Sequence, residues 1–217
     1  MIITWFGHSC FKLQTSNATV LIDPYAKDIG IRLPKVTADF VLVTHDHSDH
    51  NNVADVNGSP YVATMPGEYE VRGVFAHGIA AYHDATEGKD RGLITMYRIE
   101  AEGMTLAHLG DLGQNKLTDE QFEQLSGVDI LFIPVGGTYT IDAKTAVDVI
   151  TQLEPRIVIP MHYKIPGLDA KRFPIDGVDK FTKQMGLTTN GREDKLKIVK
   201  KDLPQEETKV ILLNPAA

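Results

Sequence analysis

Apolar residues in the first quarter of the chain come in short runs broken by polar turns, a strand pattern rather than a helical one. "IITWF" at 2–6 and "CFKLQ" at 10–14 are separated by Gly7-His8-Ser9, and "VLIDP" at 20–24 is stopped by Pro24. A polar loop then leads to the apolar run "DFVLV" at 39–43. "HNNVADV" at 50–56 predicts a short helix ended near Asn57-Gly58. "YVATM" and "GVFAHGIAAY" predict strands divided by a "PGEYEVRG" loop, and "LITMYRIEAEGMTLAHLG" predicts a hairpin turning near Glu102-Gly103. Thr118 with Gln121 forms a capping-box signature that opens a helix over "TDEQFEQLS". "DILFIPV" then predicts a buried strand, "DAKTAVDVITQLE" a helix, "RIVIPM" a strand, "DGVDKFTKQMG" a helix and "KVILL" a last strand. Strands and hairpins with amphipathic helices interposed imply helices covering sheet faces. No linker, repeat or low-complexity segment divides the pattern, so one domain over 1–217 is expected.

Composition narrows the function classes. Apolar residues make up 42% of the 217 positions, enough for a large core. The net charge is −7, from 22 basic and 29 acidic residues, which offers no general attraction to nucleic acid or acidic membranes. One cysteine, Cys10, excludes an internal disulfide framework, and it lies in a strand pattern as a small hydrophobe with no base paired to it. The stretch "MIITWFGHSC" has neither the basic region nor the cleavage site of a signal peptide, and no apolar run approaches the ~20 residues that span a bilayer. A cytoplasmic location without a membrane span is the expectation.

Candidate chemistry is concentrated in one place. Directly behind "DFVLV" comes "THDHSDH" at 44–50, with three histidines and two aspartates in seven residues. Imidazole and carboxylate are the usual ligands of zinc and related ions. His45 and His47 are two apart, so an extended backbone turns both to one side and they can grip one ion. Asp49 and His50 lie further along and can face a second. Other ligands are expected where an apolar run ends in His or Asp: His83 after "GIAAY", Asp111 after "TLAHLG" and His162 after "RIVIPM". Strand ends on one sheet edge are where sites gather.

These residues carry a resemblance. The pattern His-x-His-x-Asp-His at 45–50, followed by His83, Asp111 and His162, resembles the metallo-β-lactamase superfamily over nearly the whole chain. "WFGHSCF", "LIDP", "GDLG" and "IPMHY" are similar to the branch containing ascorbate-6-phosphate lactonase and the N-acyl-phosphatidylethanolamine phospholipase D type. "PGEYEVRG", "LGDLG" and "PVGGTYTID" are similar to a group of short Zn-dependent hydrolases. The resemblance implies an α+β fold, an αββα four-layer sandwich with a dinuclear site along one edge of two sheets. It also implies that His45, His47 and His83 hold one metal, that Asp49, His50 and His162 hold the other, and that Asp111 bridges them. The position after "GDLG", commonly histidine in that group, is Gln114 here.

Other residues near these segments are weaker candidates. Asp46 is expected to orient an imidazole from behind. His8, Arg91, Tyr139 and Lys164 are candidates for substrate contact, Tyr163 is a neighbour of a ligand segment, and Glu68 and Glu70 are candidates for the rim. His108, inside an apolar strand, is expected to be a satisfied core histidine. Neither "LGDLG" nor "PVGG" matches a nucleotide-binding glycine pattern. The expected activity is hydrolysis by a hydroxide shared between two divalent ions, zinc first with manganese or iron as alternatives. Asp49 would accept a hydrogen bond from that hydroxide and pass a proton on. The expected substrate is a small or lipid-like anionic ester, lactone or phosphodiester, not a folded RNA. Two alternatives are a mononuclear iron dioxygenase or redox protein on the same scaffold, and a non-catalytic module that binds a ligand through its metals. The sequence assigns no oligomeric state.

Overall fold

The most continuous apolar runs become the most buried strands. The computed structural model describes residues 1–187 and 191–216. The first sheet holds β1 (Ile2–Gly7), β2 (Cys10–Gln14), β3 (Thr19–Ile22), β4 (Phe40–Leu42), β5 (Tyr61–Ala63) and, late in the chain, β12 (Leu196–Lys197). The second holds β6 (Gly67–Val71), β7 (Val74–Tyr82), β8 (Leu93–Ala101), β9 (Met104–His108), β10 (Ile130–Pro134), β11 (Ile157–Met161) and β13 (Lys209–Val210). Their orders are β12-β1-β2-β3-β4-β5 and β13-β11-β10-β9-β8-β7-β6. Every residue of β4, β10 and β11 is buried, as expected of strands with both faces covered. β7 and β8 instead carry exposed positions between buried ones.

The sheets pack face to face. Phe11 of β2 meets Phe132 of β10 with ring centroids 4.4 Å apart. The Tyr97 hydroxyl of β8 donates to the carbonyls of Val43 and Ala63 at the far side of the seam. Three α-helices occur among the described residues, each following a strand of the second sheet: α1 (Asp119–Leu125), α2 (Ala143–Leu153) and α3 (Val178–Gln184). α1 begins with the expected capping box, and the Asp142 side chain caps α2 by accepting from the Thr145 amide. Among the described residues, the connections from β1 to β5 hold only the short 3₁₀ turns Lys27–Ile29 and Val53–Asp55.

Three details depart from the sequence expectations. "HNNVADV" forms the 3₁₀ turn Val53–Asp55, with no buried residue and no side-chain cap to support a longer helix. The "PGEYEVRG" segment contains β6, paired with β7 through a turn in which Arg72 and Gly73 both have positive φ. Its alternation of Glu68 and Glu70 with Tyr69 and Val71 is a period-two strand signal beneath an apparently polar composition. β12 inside "KLKIVKK" was not anticipated; two residues suffice to pair with Ile2 and Ile3 of β1.

Strand directions decide where the chemistry goes. β1 runs antiparallel to β2, and β2 to β3, while β3 is parallel to β4. β1, β3 and β4 therefore end at one edge of the first sheet. In the second, β7 and β9 both pair antiparallel with β8, and β9, β10 and β11 are parallel. β7, β9 and β11 accordingly share an exit edge. No helix among the described residues is long and apolar enough to cross a membrane.

Cys10 has no exposed surface and belongs to the core, and burial pushes its thiol well above the usual cysteine range. Its reaction with an aromatic disulfide reagent at pH 8 is expected only after unfolding in denaturant. Rapid stoichiometric labelling of the native protein would contradict this packing.

Candidate metal centre

Each sequence-selected ligand follows one of these strand ends. The segment 44–50 leaves β4, His83 leaves β7, Asp111 lies just beyond β9 and His162 directly follows β11. Two glycines let the loops close on one another. A Cβ on Gly113 would collide with the His83 carbonyl, and one on Gly136 with the His162 carbonyl. The "GDLG" and "PVGG" segments thus allow backbone to pack against backbone behind two of the histidines.

The loops bring His45, His47, Asp49, His50, His83, Asp111 and His162 together. Three groups have ligand atoms all within 4.8 Å of one another: His45, His47 and His83; His45, His50 and Asp111; and His8, Asp49, His50 and His162. Asp111 Oδ2 lies 3.3 Å from His50 Nε2, 3.2 Å from His162 Nε2 and 3.8 Å from His83 Nε2. Asp49 Oδ2 lies 3.4 Å from His50 Nε2. An ion held at about 2.0–2.1 Å keeps tetrahedral ligand atoms roughly 3.3 Å apart. Most of these separations have that size.

The polar atoms themselves provide a second test of fit. Nε2 of His45, His50 and His162 and Oδ1 of Asp111 are buried with no hydrogen-bond partner among the described residues. Buried polar groups ordinarily find partners. The other nitrogens of two of these rings are engaged: His45 Nδ1 lies 3.0 Å from Thr44 Oγ1, and His50 Nδ1 lies 2.8 Å from Asp23 Oδ2. One nitrogen anchored and the other bare is the arrangement of a metal-binding imidazole. The residues fit a metal centre.

Electrostatics divide the histidines. Burial lowers the pKa of His45 and His83, with nearby histidines adding to the effect, and so favours the neutral, ligating ring. Burial opposes charge on His50 too, but Asp111 and Asp23 outweigh it and raise its pKa well above the ordinary value. Burial likewise works against the Asp49 carboxylate, yet the neighbouring His50 imidazole, 3.4 Å away, and the hydrogen bond from His8 hold its pKa well below the usual range.

The centre opens into a pocket of about 580 Å³ lined on one side by Arg91, Tyr139, Arg172 and Phe173. Arg91 lies 5.0 Å over the Tyr139 ring, and Arg172 lies 5.3 Å over Phe173. Arg172 also donates to Asp28 at 2.6 Å and to Ser48 Oγ at 2.8 Å. The Asp84 carboxylate gathers the 84–91 loop by accepting from the amides of Thr86, Gly88, Asp90 and Arg91, which sets the base of Arg91.

Several secondary candidates lie elsewhere. Lys164 is exposed on a separate cleft with Arg192, so the second cation of the pocket is Arg172. His8 is wholly buried behind Asp49 rather than lining the pocket as a substrate contact. Asp46 is exposed on the pocket wall and accepts from Asn51, while the carboxylate behind His50 belongs to Asp23. Glu68 and Glu70 lie on the edge strand β6, and Tyr163 is buried against Trp5. Gln114 is buried in a network with the Tyr82 amide and Gln121. His108 is satisfied, as expected, by the Ser9 carbonyl and the Gly110 amide.

Asp23 and Arg172 were missed by sequence reasoning. An aspartate ending an apolar strand before proline was a usable signal for Asp23. Arg172 lies in a polar loop with nothing local to distinguish it.

This two-sheet frame, with its ligands at the strand exits, defines a class. A family model described as the β-lactamase superfamily domain matches residues 2–162, and the chain belongs to that family. A UPF0173 protein from Pyrococcus abyssi (strain GE5 / Orsay) is 32% identical over 193 residues, 77% of this chain and 85% of the relative. A UPF0173 metal-dependent hydrolase from Natranaerobius thermophilus is 29% identical over 218 residues, 88% and 93% of the two chains. A crystal structure from Thermotoga maritima, provisionally described as a Zn-dependent hydrolase of the metallo-β-lactamase superfamily, is similar across 98% of this chain and 99% of its own. Its TM-score is 0.77 and its sequence identity 35%.

Gly136→Ala places a methyl group against the His162 carbonyl, with fixed backbone on both sides. Overpacking of this kind typically costs about 1–3 kcal/mol. Urea unfolding should show a loss in that range; unchanged stability would mean that the two loops can separate without cost.

Proposed function

We propose that the protein is a metal-dependent hydrolase that holds two divalent ions, zinc first, with manganese or iron as alternatives. His45, His47 and His83 would hold one ion, Asp49, His50 and His162 the other, and Asp111 would serve both. The observation that carries this reading is the convergence of buried, unpartnered imidazole and carboxylate atoms on one small volume. When bound, such a pair of ions supplies activated water near neutral pH and Lewis-acid polarisation of a carbonyl or phosphoryl oxygen.

The remaining tasks fall to the chain. Asp49 Oδ2 faces His8 and His50, while Oδ1 accepts no hydrogen bond among the described residues and Asp49 lines the pocket. Oδ1 is therefore the atom proposed to accept a hydrogen bond from the attacking water and to carry its proton away. Arg91 and Arg172 would draw in an anionic group, with Tyr139 and Phe173 as the apolar wall beside it. A pocket of about 580 Å³ in a chain of net charge −7 suits a small or lipid-like anionic ester, lactone or phosphodiester. It does not suit a folded RNA, whose binding needs many phosphate contacts. The same reading places the protein in the cytoplasm and treats 1–217 as one domain.

Elemental analysis of protein purified without chelator, then reconstituted with excess zinc or manganese, tests the metal centre. The expected stoichiometry is two ions per chain; a value fixed at one would sink the dinuclear reading.

Activity is tested on a panel of lactones, carboxylic esters and bis(p-nitrophenyl) phosphate, with structured RNA at matched ionic strength. Asp111→Ala and His162→Ala should each lose more than the roughly 10–100-fold that loss of an outer partner costs, with the fold retained by circular dichroism. Near wild-type turnover by either variant, or salt-sensitive RNA cleavage without turnover of the small esters, would overturn the assignment.

A further inference from the structure

His8 is buried among residues of the proposed centre. It occupies the turn between β1 and β2 with a left-handed φ of 53° and no exposed surface. Its ring nitrogen Nε2 lies 3.0 Å from Asp49 Oδ2. An ionised carboxylate only accepts, so Nε2 carries the hydrogen and donates. The same residue's carbonyl accepts from the His162 amide at 3.1 Å and from the Trp5 indole at 3.0 Å. Its ring centroid lies 4.2 Å from that of His162 and 5.0 Å from that of His50, and Phe173 meets its ring at 5.2 Å. One residue of the first sheet thus holds the side chain of Asp49 and the backbone of His162 from the second sheet.

We propose that His8 is the positioning residue of the Asp49–His50–His162 half of the centre, fixing which oxygen of Asp49 turns toward a divalent ion. This rests on the two-ion reading above. Asp49 belongs to a loop and lines the open pocket, so its own backbone does not choose between its two oxygens. The bond to His8 holds Oδ2 at 3.4 Å from His50 Nε2, on the side of the proposed ion, and leaves Oδ1 to the pocket, and the packing of the His8 ring against His50, His162 and Phe173 prevents it from following a rotating carboxylate. His8 need not be a ligand itself. Asp49, His50, His162 and an oxygen of Asp111 already provide four donors, the usual number around zinc. The geometry also predicts that an amide N–H in the place of Nε2 serves as well as the imidazole.

The test uses His8→Asn and His8→Gln in the full chain. Asparagine tolerates a left-handed φ but ends short of Asp49, whereas glutamine can carry an N–H to about the position of Nε2. Circular dichroism and urea unfolding of the metal-free variants check that both fold. Stepwise Co²⁺ binding is followed by calorimetry and by the visible ligand-field spectrum. The wild type should bind two ions. His8→Asn should weaken one of them by roughly 10–100-fold and leave the other within about threefold, and His8→Gln should recover most of the loss. Unchanged affinities in His8→Asn would overturn the proposal. Equal losses in both variants, with a spectrum that has lost a nitrogen donor, would make His8 a ligand and overturn it too. Failure of the wild type to take up a second ion would instead bring down the two-ion reading, a result distinguishable because it needs no variant.

Discussion

The structure depends on keeping unpartnered polar atoms buried. Nε2 of His45, His50 and His162 and Oδ1 of Asp111 are buried and have no hydrogen-bond partner among the described residues. A buried polar group left unsatisfied costs on the order of 1–3 kcal/mol. Collapse of the loops would let these atoms pair with one another or return to solvent, so the surrounding frame must resist it. Resistance comes from behind. Asp23, wholly buried at the end of β3, accepts from the Thr44 amide and hydroxyl and faces His50 Nδ1. One carboxylate thereby fixes the exit of β4 and the direction of an imidazole together.

Neither sheet holds a complete centre. His45, His47, Asp49 and His50 follow the first sheet, and His83, Asp111 and His162 follow the second. The candidate ligand set exists only while the sheets are docked, and the docking is apolar, through contacts such as Phe11 on Phe132. The hydrophobic effect supplies the force and no directionality. Direction comes from polar bonds across the seam: Tyr97 to the carbonyls of Val43 and Ala63, and His108 to that of Ser9. A core histidine and a core tyrosine therefore influence the geometry of a site that neither touches. Their counterparts at the loops are Gly113 and Gly136, where a single methyl group would push the exits apart.

This division of labour explains what could be read from sequence. Strands with unbroken apolar runs, such as β4, β10 and β11, and a helix with a side-chain cap, such as α1, are specified locally. So is a strand ending in His or Asp, which is why all seven ligand candidates could be named before their convergence was visible. β6 escaped notice because its Glu68 and Glu70 occupy the exposed face of an edge strand, where charge is compatible with pairing. The turn Val53–Asp55 was overestimated as a helix because it buries nothing. Partners acting from behind were the least legible. Asp46 was expected to orient an imidazole because it is adjacent to the ligands in sequence, and Asp23, which reaches His50 across 27 positions, was missed. Lys164 was selected, and Arg172 missed, for the same reason. Proximity in sequence is a poor guide where two sheets are folded together.

The charge around the pocket bears on what it can accept. Its walls present four carboxylates, Asp46, Asp49, Asp90 and Asp111, against the guanidinium groups of Arg91 and Arg172. Arg172 is already paired with Asp28. The lining alone therefore repels anions, despite its arginines, and the acidic chain around it adds to the effect. Two divalent ions on the proposed ligands would reverse that sign in one small volume. The arginines then become an extension of a positive centre rather than isolated cations among acids. Recognition of an anionic substrate and occupancy of the metal centre are coupled on this reading through charge alone, before any reaction begins. A chain with this composition could keep a surface unattractive to nucleic acid and still hold one anion-binding pocket, because on this reading the positive charge would arrive with the ions and stay where the seven proposed ligands place it.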